Sequence, residues 1–210
     1  MSDLIPLFPL PNVVLFPQVF LPLRIFEPRY RAMVADALAG DRVIGMALLR
    51  PGWEAAYEER PPIYKVGCSG VITHFEKLPD GRYNIVLRGV ERFTVEHEDH
   101  TRPYRRAEVR PLPESRLSAD DQSALGRQRH KLEGLLSPAV SSVGGESIRA
   151  AAMNDSDLVN ALSQYLDFEP LEKQALLERP CLRTRAEALI ELLEMRMLLA
   201  KTPGATRTPN

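Results

Sequence analysis

Five prolines interrupt the apolar run between residues 5 and 26, and they constrain the fold more than any other feature of the chain. They are Pro6, Pro9, Pro11, Pro17 and Pro22. Each proline lacks a backbone N–H and clashes with the preceding turn of a helix, so this run cannot be helical. Prolines are accepted at the ends, edges and bulges of β-strands. The run therefore predicts extended chain that is punctuated by proline.

Residues 19–26 alternate in the way that is typical of a strand with one buried face. One face carries Val19, Leu21, Leu23 and Ile25, and the other carries Phe20, Pro22, Arg24 and Phe26. A helix is predicted to begin at Pro28, because the first helical residue needs no N–H. Helical spacing of apolar residues then continues to Gly40 and predicts one amphipathic helix that covers a sheet.

The remaining chain changes character near residue 115. Between residues 41 and 112, short apolar or alternating runs separated by proline and glycine predict further strands, among them a hairpin that turns at 78–82. Beyond that point apolar residues recur at helical spacing. The sequence therefore predicts an α+β fold with a β-rich domain at 1–114 and a helical bundle at 115–200. Residues 201–210 are predicted to form a disordered tail.

Composition narrows the class of protein. The contents of 44% hydrophobic and 26% charged residues are typical of a soluble globular chain. No apolar run approaches the roughly 20 residues of a membrane span, and the N-terminus lacks the features of a secretory signal. The two cysteines, Cys68 and Cys181, form neither a disulfide framework nor a C-x-x-C motif, so a reducing cytoplasmic location is expected.

Several short motifs, in this order and spacing, resemble the Lon N-terminal domain family. They are IPLFPL at 5–10, VVLFP at 13–17, LPL at 21–23, LPDG at 78–81, GVERF at 89–93 and the leucine-rich helices of 158–197. The motif FEPRY at 26–30 resembles the form found in short stand-alone members. Taken together, the resemblance covers about residues 4–199.

This resemblance implies a PUA-like β pseudo-barrel with one early helix, followed by a C-terminal helical bundle. It also implies a part in recognising protein substrates of Lon. The sequence has no G-x-x-x-x-G-K-[ST] phosphate loop and no region resembling the family's Ser–Lys protease domain, so neither ATPase nor protease activity is expected. We expect a non-enzymatic module that binds unfolded polypeptide segments or a partner protein and uses no cofactor.

Candidate contact residues lie around the start of the predicted helix and in the loop before residue 63. They are Phe26, Glu27, Arg29, Tyr30, Trp53 and Tyr57. A surface that holds unfolded segments needs exposed apolar groups or an open sheet edge. Packing over the end of the barrel is an equal alternative for Trp53, and Tyr30 also fits the buried face of the helix.

RNA binding is the main alternative, since PUA-like folds are able to bind RNA. RNA affinity depends on neutralising phosphates, and the net charge of −1 argues against RNA binding, so no nucleic-acid partner is expected.

The EHEDH segment at 96–100 lacks a third ligand at zinc spacing, and no base is spaced to reach Cys68, so neither a metal site nor a catalytic residue is predicted. A hydrolase with an unrecognised site is the second alternative. The apolar final helix fits packing either within the bundle or against a neighbouring copy, which leaves the oligomeric state open.

Overall fold

The computed structural model describes residues 3–56, 59–140 and 153–201. The strands are β1 (Asp3–Leu10), β2 (Phe20–Ile25), β3 (Val43–Leu48), β4 (Val66–Lys77), β5 (Tyr83–Asp99) and β6 (Arg105–Pro111). The helices are α1 (Pro28–Ala39), α2 (Ala119–Val140), α3 (Asp155–Tyr165), α4 (Pro170–Leu177) and α5 (Leu182–Lys201), and a short 3₁₀ helix covers Trp53–Ala56. These elements confirm the predicted α+β class.

The strands form one sheet in the order β2-β5-β4-β3-β1-β6. Because β6 also pairs with β5, the pairings of β1, β3, β4, β5 and β6 form a closed circuit. The pair β1–β3 is parallel and the others are antiparallel. The first part of β5 lies between β2 and β4, which leaves β2 outside the circuit as an outer strand.

In the sheet unit the apolar stripe of the predicted helix is buried, whereas the apolar face predicted for residues 19–25 is buried at its two ends and half-buried at Leu21 and Leu23. In β2 and the residue before it, Val19 and Ile25 are buried, whereas Phe20, Pro22 and Arg24 on the alternate face are exposed. The helix α1 begins at Pro28, as its proline predicts. It buries one stripe that consists of Tyr30, Met33, Val34 and Ala37.

The strand β5 is longer than the sequence pattern predicts. In the sequence Gly89 lies between two strand-like runs, at 83–87 and 92–95, but the ladder continues past it. A Cβ at Gly89 would collide with the carbonyl oxygen of Phe16. A polar loop is predicted from residue 96, yet the strand continues to Asp99. Here the acidic side chains pair across to arginines of β6, as Glu98 does with Arg105 at 3.3 Å and Glu96 does with Arg110 at 2.9 Å. Cross-strand pairs of opposite charge stabilise a ladder that lacks apolar residues.

The chain divides into two compact units, and each is discontinuous in sequence. The first, here called the sheet unit, joins residues 1–114 with 160–178, and the second joins 115–159 with 179–210. The organisation into domains at 1–114 and 115–200 stays a prediction. Of the predicted tail, Lys201 is the last residue of α5, and residues 202–210 lie outside the described residues.

Three buried polar side chains hold residues 160–178 against the strands of the sheet unit. The backbone N–H of Phe16 donates to Gln164 Oε1 at 3.1 Å. Gln174 Nε2 donates to the carbonyl oxygen of Val66 at 3.0 Å. Arg92 Nη1 donates to the carbonyl oxygen of Leu177 at 2.9 Å. Since a buried polar group is costly when it lacks a partner, these bonds fix the position of this segment.

The second unit is helical and is held by ion pairs as well as by apolar packing. Lys131 on α2 pairs with Glu194 on α5 at 2.7 Å, and Arg183 pairs with Asp121 at 2.7 Å. The hydroxyl of Ser118 accepts the N–H of Asp121 and caps α2. Within the described ranges, no helix combines the length and apolar character needed to cross a bilayer.

Candidate functional site

The outer edge of β2 is open, because β5 is its one neighbour among the described strands. Gly89 N–H donates to the carbonyl of Val19 at 2.9 Å, so backbone groups at odd-numbered positions of this strand face β5. Backbone groups alternate in direction along an antiparallel ladder, so those of Phe20, Pro22 and Arg24 face away from it. Pro22 has no N–H, which suits this outward position. The open edge therefore offers the N–H of Arg24 and the carbonyls of Pro22 and Arg24.

Exposed aromatic side chains accompany this open edge. Phe20 is 50% exposed and Phe26, just after the strand, is 64% exposed. Tyr165 is 58% exposed, and its hydroxyl donates to the carbonyl oxygen of Phe20 at 2.9 Å. We call the group formed by Phe20, Pro22, Arg24, Phe26 and Tyr165 the β2 edge surface. It combines backbone groups that can pair with a strand and apolar groups that can be buried by a ligand.

Four of the six candidate residues lie together at the junction of β2 and α1. Phe26 is exposed on the β2 edge surface, and Glu27 and Arg29 form an ion pair at 2.9 Å. Tyr30 is buried, with its ring centroid 4.5 Å from that of Phe8, and the guanidinium carbon of Arg29 lies over the Tyr30 ring, 4.7 Å from its centroid. Tyr30 is therefore a core side chain of α1 that has little surface to offer. The binding roles of these residues stay predictions.

The other two candidate residues do not join this group. Trp53 lies in the 3₁₀ helix and is half-buried against a core cluster that includes Leu7, Ala47 and Phe93. This packing agrees with the alternative that Trp53 covers the apolar interior. Tyr57 lies outside the described residues.

Sequence reasoning missed Phe20 and Tyr165 as candidate contacts. Phe20 carried a readable signal, because it is a large apolar residue on the strand face opposite Val19 and Leu21. Tyr165 carried no such signal, since it fits the apolar stripe of the predicted helix, yet more than half of its side chain is exposed. Tyr165 and Phe20 are neighbours only because the chain returns to the sheet after 145 residues.

A second feature of the sheet unit is a cavity of about 230 Å³ at the first turn of α1. It is lined by Pro9, Arg29, Tyr30, Leu49, Glu59, Arg60, Pro61, Pro103, Tyr104 and Arg105. These residues come from β1, α1, the segment before β4 and the start of β6. We call it the arginine cavity, since three guanidinium groups line it.

Burial shifts the pKa values of two side chains that line the arginine cavity, Arg105 and Tyr104. Arg105 is only 5% exposed, pairs with Glu98 at 3.3 Å and donates to the carbonyl of Pro61 at 2.5 Å. Burial, with smaller contributions from the positive charges of Arg60 and Arg29, lowers the pKa of Arg105. The buried Tyr104 hydroxyl donates to Asp36 Oδ2 at 2.6 Å. Burial first, and then this bond to a carboxylate, raises the pKa of Tyr104 to about 12.

The acidic segment 96–100 shows no metal-binding geometry. Its carboxylates face arginines of β6; Asp99, for example, accepts a hydrogen bond from Arg106 Nε at 2.8 Å. A hydrogen bond from Thr101, together with Arg106, lowers the pKa of Asp99, although partial burial opposes the shift. No group of three or more His, Cys, Asp or Glu residues suited to a metal ion occurs in the part of the chain that the structure describes.

A comparison with models of protein families identifies the family of the chain. The family model described as the ATP-dependent protease La (LON) substrate-binding domain matches residues 4–195. The chain belongs to this family. Curated relatives of this Lon-family chain include Lon protease 1 of Herpetosiphon aurantiacus, 26% identical over 91% of the chain, and Lon protease 2 of Myxococcus xanthus, 29% identical over 95%. The chain spans about a quarter of the length of each, since the match covers 24% of either protein.

Solved structures of the same family confirm the fold. The N-terminal domain of the Mycobacterium avium complex Lon protease superposes with a TM-score of 0.71 at 18% identity, covering 91% of this chain and 98% of that one. A Lon N-terminal domain protein from Xanthomonas campestris superposes with a TM-score of 0.56 at 23% identity, covering 96% and 99%. At these identities the likeness establishes the fold of this Lon-family chain and nothing further.

Proposed function

We propose that this Lon-family chain is a non-enzymatic, cytoplasmic recognition module that binds extended polypeptide segments along the β2 edge surface. The observation that carries the proposal is the open edge of β2 with exposed Phe20 and Phe26 beside it. Membership of a substrate-binding family supports a polypeptide ligand. The free thiols of Cys68 and Cys181 agree with a reducing compartment.

Binding would proceed by addition of a strand to β2. The N–H of Arg24 and the carbonyls of Pro22 and Arg24 would pair with the backbone of the ligand, which makes binding tolerant of ligand sequence. Phe20 and Phe26 would add affinity by burying apolar groups of the ligand. Pro22 interrupts the row of outward donors, as edge prolines do, and this limits uncontrolled pairing between copies of the chain.

The role of the backbone edge is tested by two substitutions at one residue. We would titrate the full chain into a fluorescently labelled, permanently unfolded polypeptide and follow anisotropy. Arg24→Pro removes the outward N–H without touching the ladder to β5, and Arg24→Ala is its control for loss of the side chain. Since a hydrogen bond contributes about 1 kcal/mol net, Arg24→Pro is expected to bind about fivefold more weakly than Arg24→Ala.

The outcomes separate the proposed function from its alternatives. Saturable binding by the unaltered chain, with the Arg24→Pro variant weakened and still folded by circular dichroism, supports strand addition. Equal affinities of the two variants would contradict it. Labelled RNA is titrated in parallel at two salt concentrations; salt-sensitive RNA binding without polypeptide binding would overturn the proposal in favour of nucleic-acid recognition.

A further inference from the structure

We propose that the arginine cavity binds the C-terminal carboxylate of a polypeptide ligand. This inference rests on the proposed function and adds the feature of the ligand that the module would read. It is carried by three arginines, Arg29, Arg60 and Arg105, which line one cavity of about 230 Å³. Of these arginines only Arg29 is a predicted contact residue, and none belongs to the β2 edge surface.

Two of the three arginines already have a carboxylate partner. Arg29 pairs with Glu27 at 2.9 Å, and Arg105 pairs with Glu98 at 3.3 Å. Arg60 instead donates to two backbone carbonyls, those of Asp99 at 3.3 Å and Arg102 at 3.2 Å. Among the described residues no carboxylate lies within 4 Å of the Arg60 guanidinium, so within that part of the chain its charge meets only neutral carbonyl groups.

The size of this charge excess favours a monoanion. The acidic residue in the cavity lining, Glu59, is exposed and therefore screened by water more than the buried Arg105 is. A carboxylate would meet one unbalanced guanidinium, with planar geometry suited to two parallel N–H donors. A phosphate dianion would bring a second negative charge, for which the described lining offers no further guanidinium without a carboxylate partner.

The walls of the cavity hold its arginines in fixed positions. Pro9, Pro61 and Pro103 line it, and proline fixes the backbone, so these walls are rigid. The arginines are also held in place, because Arg105 and Arg60 donate to backbone carbonyls. Arg29 and Tyr30 belong to the first turn of α1, where the helix dipole also favours negative charge.

The test uses peptides that differ only at their last group. A labelled apolar peptide with a free C-terminus is compared, by anisotropy with the full chain, with the same peptide ending in an amide. Because hydrogen bonds to charged groups contribute about 1.5 to 3 kcal/mol, the free form is expected to bind at least about tenfold more tightly. A third peptide ends in an amidated glutamate and should bind no better than the plain amide.

Variants and competitors locate the effect in the cavity. Arg60→Gln is expected to abolish the preference for the free end, whereas Arg110→Gln, an exposed arginine of β6 that pairs with Glu96, should retain it. Circular dichroism checks that both variants are folded. N-acetylglycine should displace the free-end peptide from the unaltered chain at lower concentration than inorganic phosphate does.

Each contrary result is distinct. Equal binding of the free and amidated peptides would overturn the carboxylate site and leave the proposed function standing. Absence of binding by every peptide would overturn both. Tight binding of the amidated glutamate peptide would overturn the assignment to a chain end, and stronger displacement by phosphate would overturn the assignment to a carboxylate.

Discussion

The hydroxyl of Tyr165 donates a hydrogen bond of 2.9 Å to the backbone carbonyl of Phe20, across 145 residues of sequence. This bond occupies an outward acceptor of the β2 edge and holds the end of α3 beside the strand. Without this bond the Phe20 carbonyl would accept a hydrogen bond from water or from a ligand. The bond therefore stabilises the sheet unit and at the same time removes one acceptor from the β2 edge.

Replacing Tyr165 with phenylalanine isolates the contribution of this bond. Since both groups are largely exposed, we expect Tyr165→Phe to lower the free energy of unfolding by only about 0.5 kcal/mol. The phenyl ring keeps the apolar contact, and the freed carbonyl of Phe20 should leave polypeptide affinity unchanged or increased. Urea denaturation and anisotropy measure the two effects; a large loss of affinity would show that the hydroxyl itself contacts the ligand.

Loss of the two exposed phenylalanines of the edge should weaken binding without weakening the fold. We expect the double substitution Phe20→Ser and Phe26→Ser to reduce polypeptide affinity at least about tenfold, because both rings would be buried by a ligand. Phe75→Ser is the matched control, since Phe75 is an exposed ring of β4 away from the β2 edge. Similar losses in the control and the double variant would remove the edge from the binding model.

Arg92 is a buried charged side chain whose loss should destabilise the sheet unit. It donates to the carbonyl of Leu177 at 2.9 Å and lies 3.4 Å from Glu114. We expect Arg92→Met, which keeps most of the volume, to reduce the free energy of unfolding by about 2 to 3 kcal/mol, because the Leu177 carbonyl loses its charged donor. Arg110→Met, at an exposed pair, should change it by no more than about 0.5 kcal/mol. Urea denaturation of both variants provides the comparison.

Substitution by alanine should lower the stability of the protein at one glycine and raise it at another. At Gly89 the new Cβ would collide with the backbone carbonyl of Phe16, so we expect Gly89→Ala to destabilise by about 1 to 3 kcal/mol. At Gly126, inside α2, no atom outside that helix's own backbone lies within 4 Å of the new Cβ. Gly126→Ala should therefore stabilise by about 0.5 to 1 kcal/mol through higher helix propensity. Thermal unfolding midpoints that move in the same direction would contradict this account.

The raised pKa of Tyr104 predicts loss of stability at high pH. An unfolded tyrosine releases its proton near pH 10, whereas Tyr104 in the folded chain has a pKa of about 12. Between these values the folded state binds more protons than the unfolded state, so stability falls as pH rises. Tyr104→Phe should lose this part of the pH dependence. Tyrosinate absorbance, titrated for both proteins, should show one tyrosine fewer ionising near pH 12 in the variant.

Local signals explain which parts of the fold were predictable from sequence. Pro28 marks the start of α1 because the preference of proline for the first helical position needs no information from elsewhere in the chain. The faces of β2 were likewise correct, since alternation is a property of neighbouring residues. The order of motifs from 4 to 199 gave the family and its fold, which the match to residues 4–195 confirms.

The features that could not be predicted from sequence depend on contacts between residues that are far apart in the chain. The arginine cavity unites Arg29, Arg60 and Arg105, whose separations of 31 and 45 residues form no motif. Gln164 and Gln174 bond to backbone groups of residues that are distant in sequence, and apolar periodicity does not predict such polar contacts. The continuation of β5 past residue 96 depends on arginines that arrive only with β6. Each of these features is a property of the folded chain.

Because the sheet unit is discontinuous in sequence, its two segments are synthesised at different times. Phe16, Val66 and Arg92 leave the ribosome before Gln164, Gln174 and Leu177, which provide their polar partners. At roughly 5 to 20 residues per second, the strands wait several seconds for these groups. During that interval the nascent sheet lacks part of its cover, so an early pause or a truncation at residue 114 would give chaperones and proteases an incomplete domain.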